Sequence, residues 1–153
     1  MRVALGSDHA GYDLKSLLGS ALDGWGHEVV DLGTTNATES VDYPDFGEAV
    51  GRAVAEGRCD LGVAVCGSGI GISIAANKVP GIRAALVHDV TSARLAREHN
   101  HANVLCFGGR LTGPTVALEA LEAWLVTIPG QGRHLGRIAK LSALDERPSK
   151  QER

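Results

Sequence analysis

Cys66 stands at the end of an apolar run, Leu61 to Val65, and directly before the turn Gly67-Ser68-Gly69-Ile70-Gly71. If that turn opens a helix, the positive end of the helix favours the thiolate form of a thiol beside it. Three closely spaced glycines let backbone N–H groups approach an oxyanion. A thiolate next to such donors offers, in one turn, a base and stabilisation for negative charge that develops on oxygen. The turn is not a P-loop, because no Gly-Lys-Ser/Thr follows it. It is also a poor dinucleotide fingerprint, because residue 72 is Ile where the pattern needs Gly, and the turn follows the third strand and not the first. Taken alone it serves equally as a tight strand-to-helix connection.

The other residues with chemical potential are weighed against blander roles. Cys59 and Cys106 fit buried small apolar positions. An odd count of three cysteines with no C-x-x-C pair argues against a disulfide framework or a structural zinc site, and His99 with His101 lacks carboxylate partners for a metal. His27 is read as a surface residue, and His88 and His101 as loop residues. His9 and His99 are read onto the edge where a ligand is expected. A cysteine with histidines also suits a hydrolase, which needs an acyl pocket and an imidazole beside the thiol. Arg133 and Arg137 are four apart, so on a helix they share one face suited to a phosphate or carboxylate. The alternative is a solvated basic face, which Lys140 favours.

These residues need elements to position them. Apolar runs at Val3–Leu5, Glu28–Leu32, Leu61–Val65, Arg83–Val87 and Val104–Phe107 read as five strands. Between them lie helical stretches: Leu14, Leu17, Leu18, Ala21, Leu22 and Trp25 as one stripe, then Phe46–Val54, Ile70–Asn77, Thr91–Glu98 and Thr115–Val126, the last with Ala117, Leu118, Leu121 and Leu125 inward. Alternation of this kind predicts an α/β fold: one doubly wound, flavodoxin- or Rossmann-like, five-stranded parallel sheet. An extra helix over about 133–146 follows Pro129-Gly130-Gln131-Gly132. Its stripe, Leu135, Ile138, Leu141 and Leu144, is expected to pack on a partner subunit or to cover its own sheet. The expected domain is residues 1–146, with a polar tail at 147–153.

In open α/β sheets ligands bind beyond the carboxyl ends of the strands. The residues just past those ends are Gly6-Ser7-Asp8-His9, the Cys66 turn, His88-Asp89 and Gly108-Gly109-Arg110. The end of the fourth helix, His99-Asn100-His101, is read onto the same edge.

Composition sets the broad class. Of 153 residues, 44% are apolar and 22% charged, an ordinary globular balance. A net charge of −3 argues against electrostatic binding of nucleic acid. No apolar run approaches a membrane span, and unpaired thiols suit a reducing compartment, so a cytoplasmic protein is expected.

Several motifs in order resemble the type B ribose-5-phosphate isomerases and their relatives that act on galactose 6-phosphate and allose 6-phosphate. They are Gly6-Ser7-Asp8-His9-Ala10-Gly11, Asp42-Tyr43-Pro44, the segment Cys66 to Lys78, Arg97-Glu98-His99-Asn100, Gly108-Gly109-Arg110 and Gly132-Arg133-His134. The resemblance implies that Cys66 is the base that takes the proton next to the carbonyl. Ser68 takes the place of a threonine common in the family and keeps its hydroxyl for proton shuttling. Gly67, Gly69, Ile70 and Gly71 would hold enediolate oxygens, and His99 would open the furanose ring. Asp8, His9, Asn100 and Arg110 would hold sugar hydroxyls or phosphate, and Arg133 and Arg137 would grip the phosphate. A second branch uses a glutamate from the next helical turn as base; Ile72 stands there, which puts this chain with the cysteine branch. No metal or organic cofactor is implied. The implied assembly is a homodimer or a dimer of dimers with sites shared between subunits. Ribose 5-phosphate is the first expected substrate, with allose 6-phosphate, galactose 6-phosphate or a tetrose phosphate as alternatives. A flavodoxin-like module that senses a sugar phosphate without turning it over would keep Arg133 and Arg137 but has no need of a thiol at residue 66.

Overall fold

The computed structural model describes residues 1–146, so the expected tail at 147–153 lies outside the described residues. Five parallel strands form one sheet in the order β2-β1-β3-β5-β4. They are β1 (Arg2–Ser7), β2 (Glu28–Asp31), β3 (Leu61–Cys66), β4 (Ala84–Leu86) and β5 (Val104–Gly108). The order follows from burial. β3 and β5 are buried along their whole length, as central strands covered on both faces must be. β2 and β4 are shorter, only partly buried, and lie at the two edges.

Among the described residues the helices are α1 (Tyr12–Gly24), α2 (Tyr43–Ala55), α3 (Ile70–Asn77), α4 (Val90–Asn100), α5 (Pro114–Val126) and α6 (Arg133–Asp145), with a 3-10 turn at His9–Gly11. Alternate strand residues feed two cores. Val3, Leu5, Val63, Val65, Leu105 and Phe107 pack with α1, α4 and α5. Ala4, Ala64, Cys66, Val104 and Cys106 pack with α2 and α3. The doubly wound α/β expectation therefore holds.

Some local readings are corrected. Leu14, Leu18 and Leu22, at four-residue spacing, are the buried leucines of α1. Leu17 and Trp25 stay 37% and 41% exposed, because Leu17 lies off that face and Trp25 caps the helix outside it. Helix α2 starts at Tyr43, three residues before Phe46, since Pro44 is preorganised for a first helical turn. In α5 the largest inward side chain is Trp124, fully buried beneath the Arg97 guanidinium at 5.8 Å.

Two features lie outside these cores. On the outer side of β4, the Asn77 amide donates to the Ala84 carbonyl at 2.9 Å and accepts from the Ala84 N–H at 2.8 Å. Helix α6 has no buried residue, and Leu135, Leu141 and Leu144 stay 43–49% exposed. It does not cover its own sheet. Its start is held beside the end of α4, where Gly130 N donates to the Glu98 carbonyl at 2.8 Å and His101 Nε2 donates to the Gly130 carbonyl at 2.6 Å. No helix among the described residues is long and apolar enough to cross a membrane.

Candidate active site

The carboxyl ends of β1, β3 and β5 open onto a cavity of about 490 Å³. Asp8, His9, Cys66, Gly67, Ser68, Ile70, Gly71 and Arg110 line it, together with Ala10, Tyr43 and Ile74. Cys66 is the last residue of β3 and is 3% exposed, with its Sγ accepting the Gly69 N–H at 3.2 Å. Gly69 caps α3 with φ of +77°, and a Cβ there would come within 2.7 Å of the Phe107 carbonyl carbon. A side chain is excluded twice over, by the left-handed backbone and by contact with β5. This bend brings the thiol up against the first turn of α3, with the Gly69 N–H on its sulfur. Cys106 lies on the same face of the sheet, in β5. Burial, and then Cys66 beside it, pushes its thiol well above the ordinary range, so it stays protonated.

The donors in the turn are divided. The Gly69 amide is occupied by Cys66, and the Ile70 amide donates to Ser68 Oγ at 3.2 Å. Among the described residues the Ser68 and Gly71 amides have no protein acceptor. Of the expected turn positions, Gly69 and Ile70 therefore hold no free N–H in this conformation. Arg110 is anchored through its backbone to the Gly67 carbonyl at 2.9 Å, and a Cβ on Gly67 would stand 3.1 Å from Arg110 Nη1. Asp8 is buried and caps the 3-10 turn, its Oδ1 accepting the Gly11 N–H at 3.0 Å. His9 Nδ1 accepts the Val41 N–H at 3.2 Å, which leaves the ring hydrogen on Nε2.

Tyr43 is a lining residue that sequence reasoning missed as a site residue. A Cβ on Gly71 would run into its ring at 2.5 Å, so the glycine is what lets the ring lie against the turn. The signal was its position: the first residue of the helix that follows β2, hence at the carboxyl edge.

His99, Asn100, Arg133 and Arg137 are not in this cavity, and the expectation that His99 and Asn100 join Cys66 at one edge is corrected. Helix α4 starts at the carboxyl end of β4 and runs antiparallel to the strands, so it ends at their amino edge. Arg83, one residue before β4, donates to the Asn100 carbonyl at 3.0 Å and to the His101 carbonyl at 3.2 Å. Nor do His88 and Asp89 line the cavity. Asp89 caps α4 through Ser92, whose backbone N–H and hydroxyl hold the carboxyl below its usual range.

A second cluster forms at the amino edge. His99 stacks on His134 with centroids 4.5 Å apart and planes at 12°. Desolvation, and then His99, Arg133 and Arg137, push the His134 imidazole below its ordinary value. Arg133 and Arg137 are exposed on α6, as their spacing predicts for one face. Asn100 lines a separate groove of about 370 Å³ between α6 and β4.

An acidic residue, a histidine, a thiol and a helix-opening turn meet at the switch of an open α/β sheet, the place where such folds bind small molecules. The Ribose/Galactose Isomerase family matches residues 3–141. A ribose-5-phosphate isomerase B from Escherichia coli is 43% identical over 95% of this chain and 97% of its own. A galactose-6-phosphate isomerase subunit from Clostridium acetobutylicum is 50% identical over 82% of this chain and 72% of its own. A solved ribose-5-phosphate isomerase B from Clostridium thermocellum superposes with a TM-score of 0.93 at 49% identity, covering 95% of this chain and 98% of its own. The chain belongs to the Ribose/Galactose Isomerase family. It is an enzyme of the aldose–ketose isomerase class.

Proposed function

We propose that the protein interconverts ribose 5-phosphate and ribulose 5-phosphate through an enediolate, with Cys66 as the base. The observation that carries this reading is the Cys66 thiol on the wall of the carboxyl-edge cavity, held against the first turn of α3. In the open-chain aldose, the Cys66 thiolate takes the proton from C2, and the electron pair moves to leave negative charge on O1. The Ser68 and Gly71 amides and Arg110 stabilise that charge, and Ser68 Oγ relays the proton from O2 to O1. The Cys66 thiol then returns its proton to C1, which gives the ketose and restores the thiolate. Oxyanion donors of this kind contribute on the order of 3 kcal/mol each. Asp8 and His9 hold sugar hydroxyls.

His99, Asn100, Arg133 and Arg137 act on the same substrate from a second copy of the chain, His99 opening the ring and the arginines gripping the phosphate. Two facts support this. The four residues stand at the edge opposite Cys66 of their own chain, and α6 carries an apolar stripe that nothing among the described residues buries. The homodimer so formed shares its sites between subunits, and residues 1–146 act as one domain with α6 as its dimerisation helix. A cytoplasmic setting goes with the unpaired Cys59, Cys66 and Cys106.

Galactose 6-phosphate is the second substrate reading, and the 50% identity to a galactose-6-phosphate isomerase subunit favours it. A kinetic panel of four- to six-carbon aldose phosphates decides between them. The expected result is the highest kcat/KM for ribose 5-phosphate; a six-carbon sugar in first place replaces the substrate reading but keeps the chemistry.

The ring-opening role of His99 has its own test. Erythrose 4-phosphate cannot close a furanose ring, because its O4 carries the phosphate. If the enzyme turns it over, His99→Ala should depress turnover of ribose 5-phosphate by about 10²–10⁴ more than turnover of erythrose 4-phosphate. Equal losses on both sugars would move His99 to binding or to the enediolate step.

A further inference from the structure

Among the described residues Lys15 is the only buried lysine, at 2% exposure, and nothing in the proposed chemistry uses it. It lies on the flank of α1 whose buried residues are Leu14, Lys15, Leu18, Gly19 and Leu22. Its Nζ donates to Asp31 Oδ2 at 2.6 Å and to the Thr34 carbonyl at 3.0 Å, and lies 5.1 Å from the centre of the Tyr12 ring. The Asp31 side chain is half in water while that of Lys15 is 3% exposed, so the lysine bears most of the desolvation. A pair of this kind is a weak source of stability, since an apolar side chain of similar volume often does as well. Its use must lie in what it holds.

What it holds is the entry of the segment 32–42, which contains no helix or strand. Leu32 N donates to the Leu5 carbonyl at 2.7 Å and Thr34 N to the Ser7 carbonyl at 3.0 Å, so the segment begins flat against the end of β1. Gly33 makes that approach possible: a Cβ there would meet Ser7 N at 2.6 Å and Lys15 Cδ at 2.9 Å. The next residues after β1 are Asp8 and His9. At its far end the segment returns to them, with Val41 N on His9 Nδ1, and then delivers Tyr43 to the cavity wall. Both ends of the segment therefore bear on the same site, and Lys15 secures the end that has no side chain in it.

We propose that Lys15 is a positioning residue: its ammonium fixes the entry of segment 32–42, so that Val41 sets the tautomer and angle of His9 and Tyr43 closes the cavity wall. The inference rests on the reading of the cavity as the substrate site, and the test separates the two. Lys15→Met keeps a similar volume on an unbranched side chain one atom shorter, removes the ammonium, and leaves the half-exposed Asp31 to be hydrated. The expected result is a KM for ribose 5-phosphate raised about tenfold, the loss of one charge-assisted contact, with kcat within about threefold of wild type. In histidine labelled with nitrogen-15, assigned by comparison with His9→Asn, the wild-type His9 ring should show a bare Nδ1 and a protonated Nε2. In Lys15→Met the two nitrogen signals should move towards each other as the tautomers average.

His9 signals and KM unchanged in a folded Lys15→Met would overturn the proposal, as would a loss of activity with the His9 signals unmoved. Should Lys15→Met fail to fold, Asp31→Asn weakens the same pair from its hydrated side and must move the His9 signals in the same direction; unmoved signals again overturn it. If the wild-type protein does not turn over ribose 5-phosphate, the substrate reading fails while the His9 signals still decide the role of Lys15.

Discussion

Cys66→Ala is expected to stop isomerisation, with turnover lowered by at least about 10²–10⁴, the range for removing a positioned general base. Affinity for a non-reacting phosphate ligand should stay close to wild type, because the thiol grips no phosphate in the proposed mechanism. The variant should fold, since Cys66 contributes one small side chain to a core that also contains Val50, Ile72 and Val104. The Gly69 N–H loses its sulfur acceptor, which costs stability on the order of 1–3 kcal/mol for a buried donor. Cys59→Ala and Cys106→Ala serve as controls and should spare the chemistry, with a stability cost on the order of 1 kcal/mol for a small buried deletion. Turnover by Cys66→Ala within about tenfold of wild type would remove the cysteine from the base role.

The second large effect is a recovery. Cys66→Ala and His99→Ala should each be nearly inactive on ribose 5-phosphate, yet co-expressed chains should regain activity. In a mixed dimer one site receives both altered residues and the other receives neither. Random pairing makes half of the dimers mixed, and half of their sites are intact, so about a quarter of wild-type activity is expected. This expectation comes from the direction of α4, which puts His99 at the sheet edge opposite Cys66. Differently tagged chains allow the mixed species to be purified and counted. No recovery in the purified mixed dimer would mean that each site is built within one chain.

The layered fold was legible because its signals are local. Strands such as Leu61–Cys66, buried on both faces, read as short continuous apolar runs, and each is followed by a helical stripe. Half of the cavity was legible for the same reason: Asp8, His9, Cys66, Ser68 and Arg110 all lie at or just past a strand end, and strand ends of a parallel sheet share one edge. His99 was misplaced by carrying that rule to the end of a helix, although a helix returning from the carboxyl edge must finish at the amino edge. Tyr43 was missed because the eleven-residue segment 32–42 before it has no periodicity to count along. Lys15 was invisible because its partners, Asp31 and the Thr34 carbonyl, are brought to it only by the pairing of β1 with β2.

The Asn77 amide on Ala84 has a consequence for the protein at high concentration. A sheet edge with open N–H and C=O groups is a template on which another chain can add a strand and begin an aggregate. Strand β4 ends the sheet and has three residues, which leaves little edge to template on. On that edge, Asn77 presents to Ala84 the same donor and acceptor that an incoming backbone would offer. The last residue of α3, the helix that Cys66 and its turn lead into, thus fills the place of a sixth strand and protects the sheet from self-association.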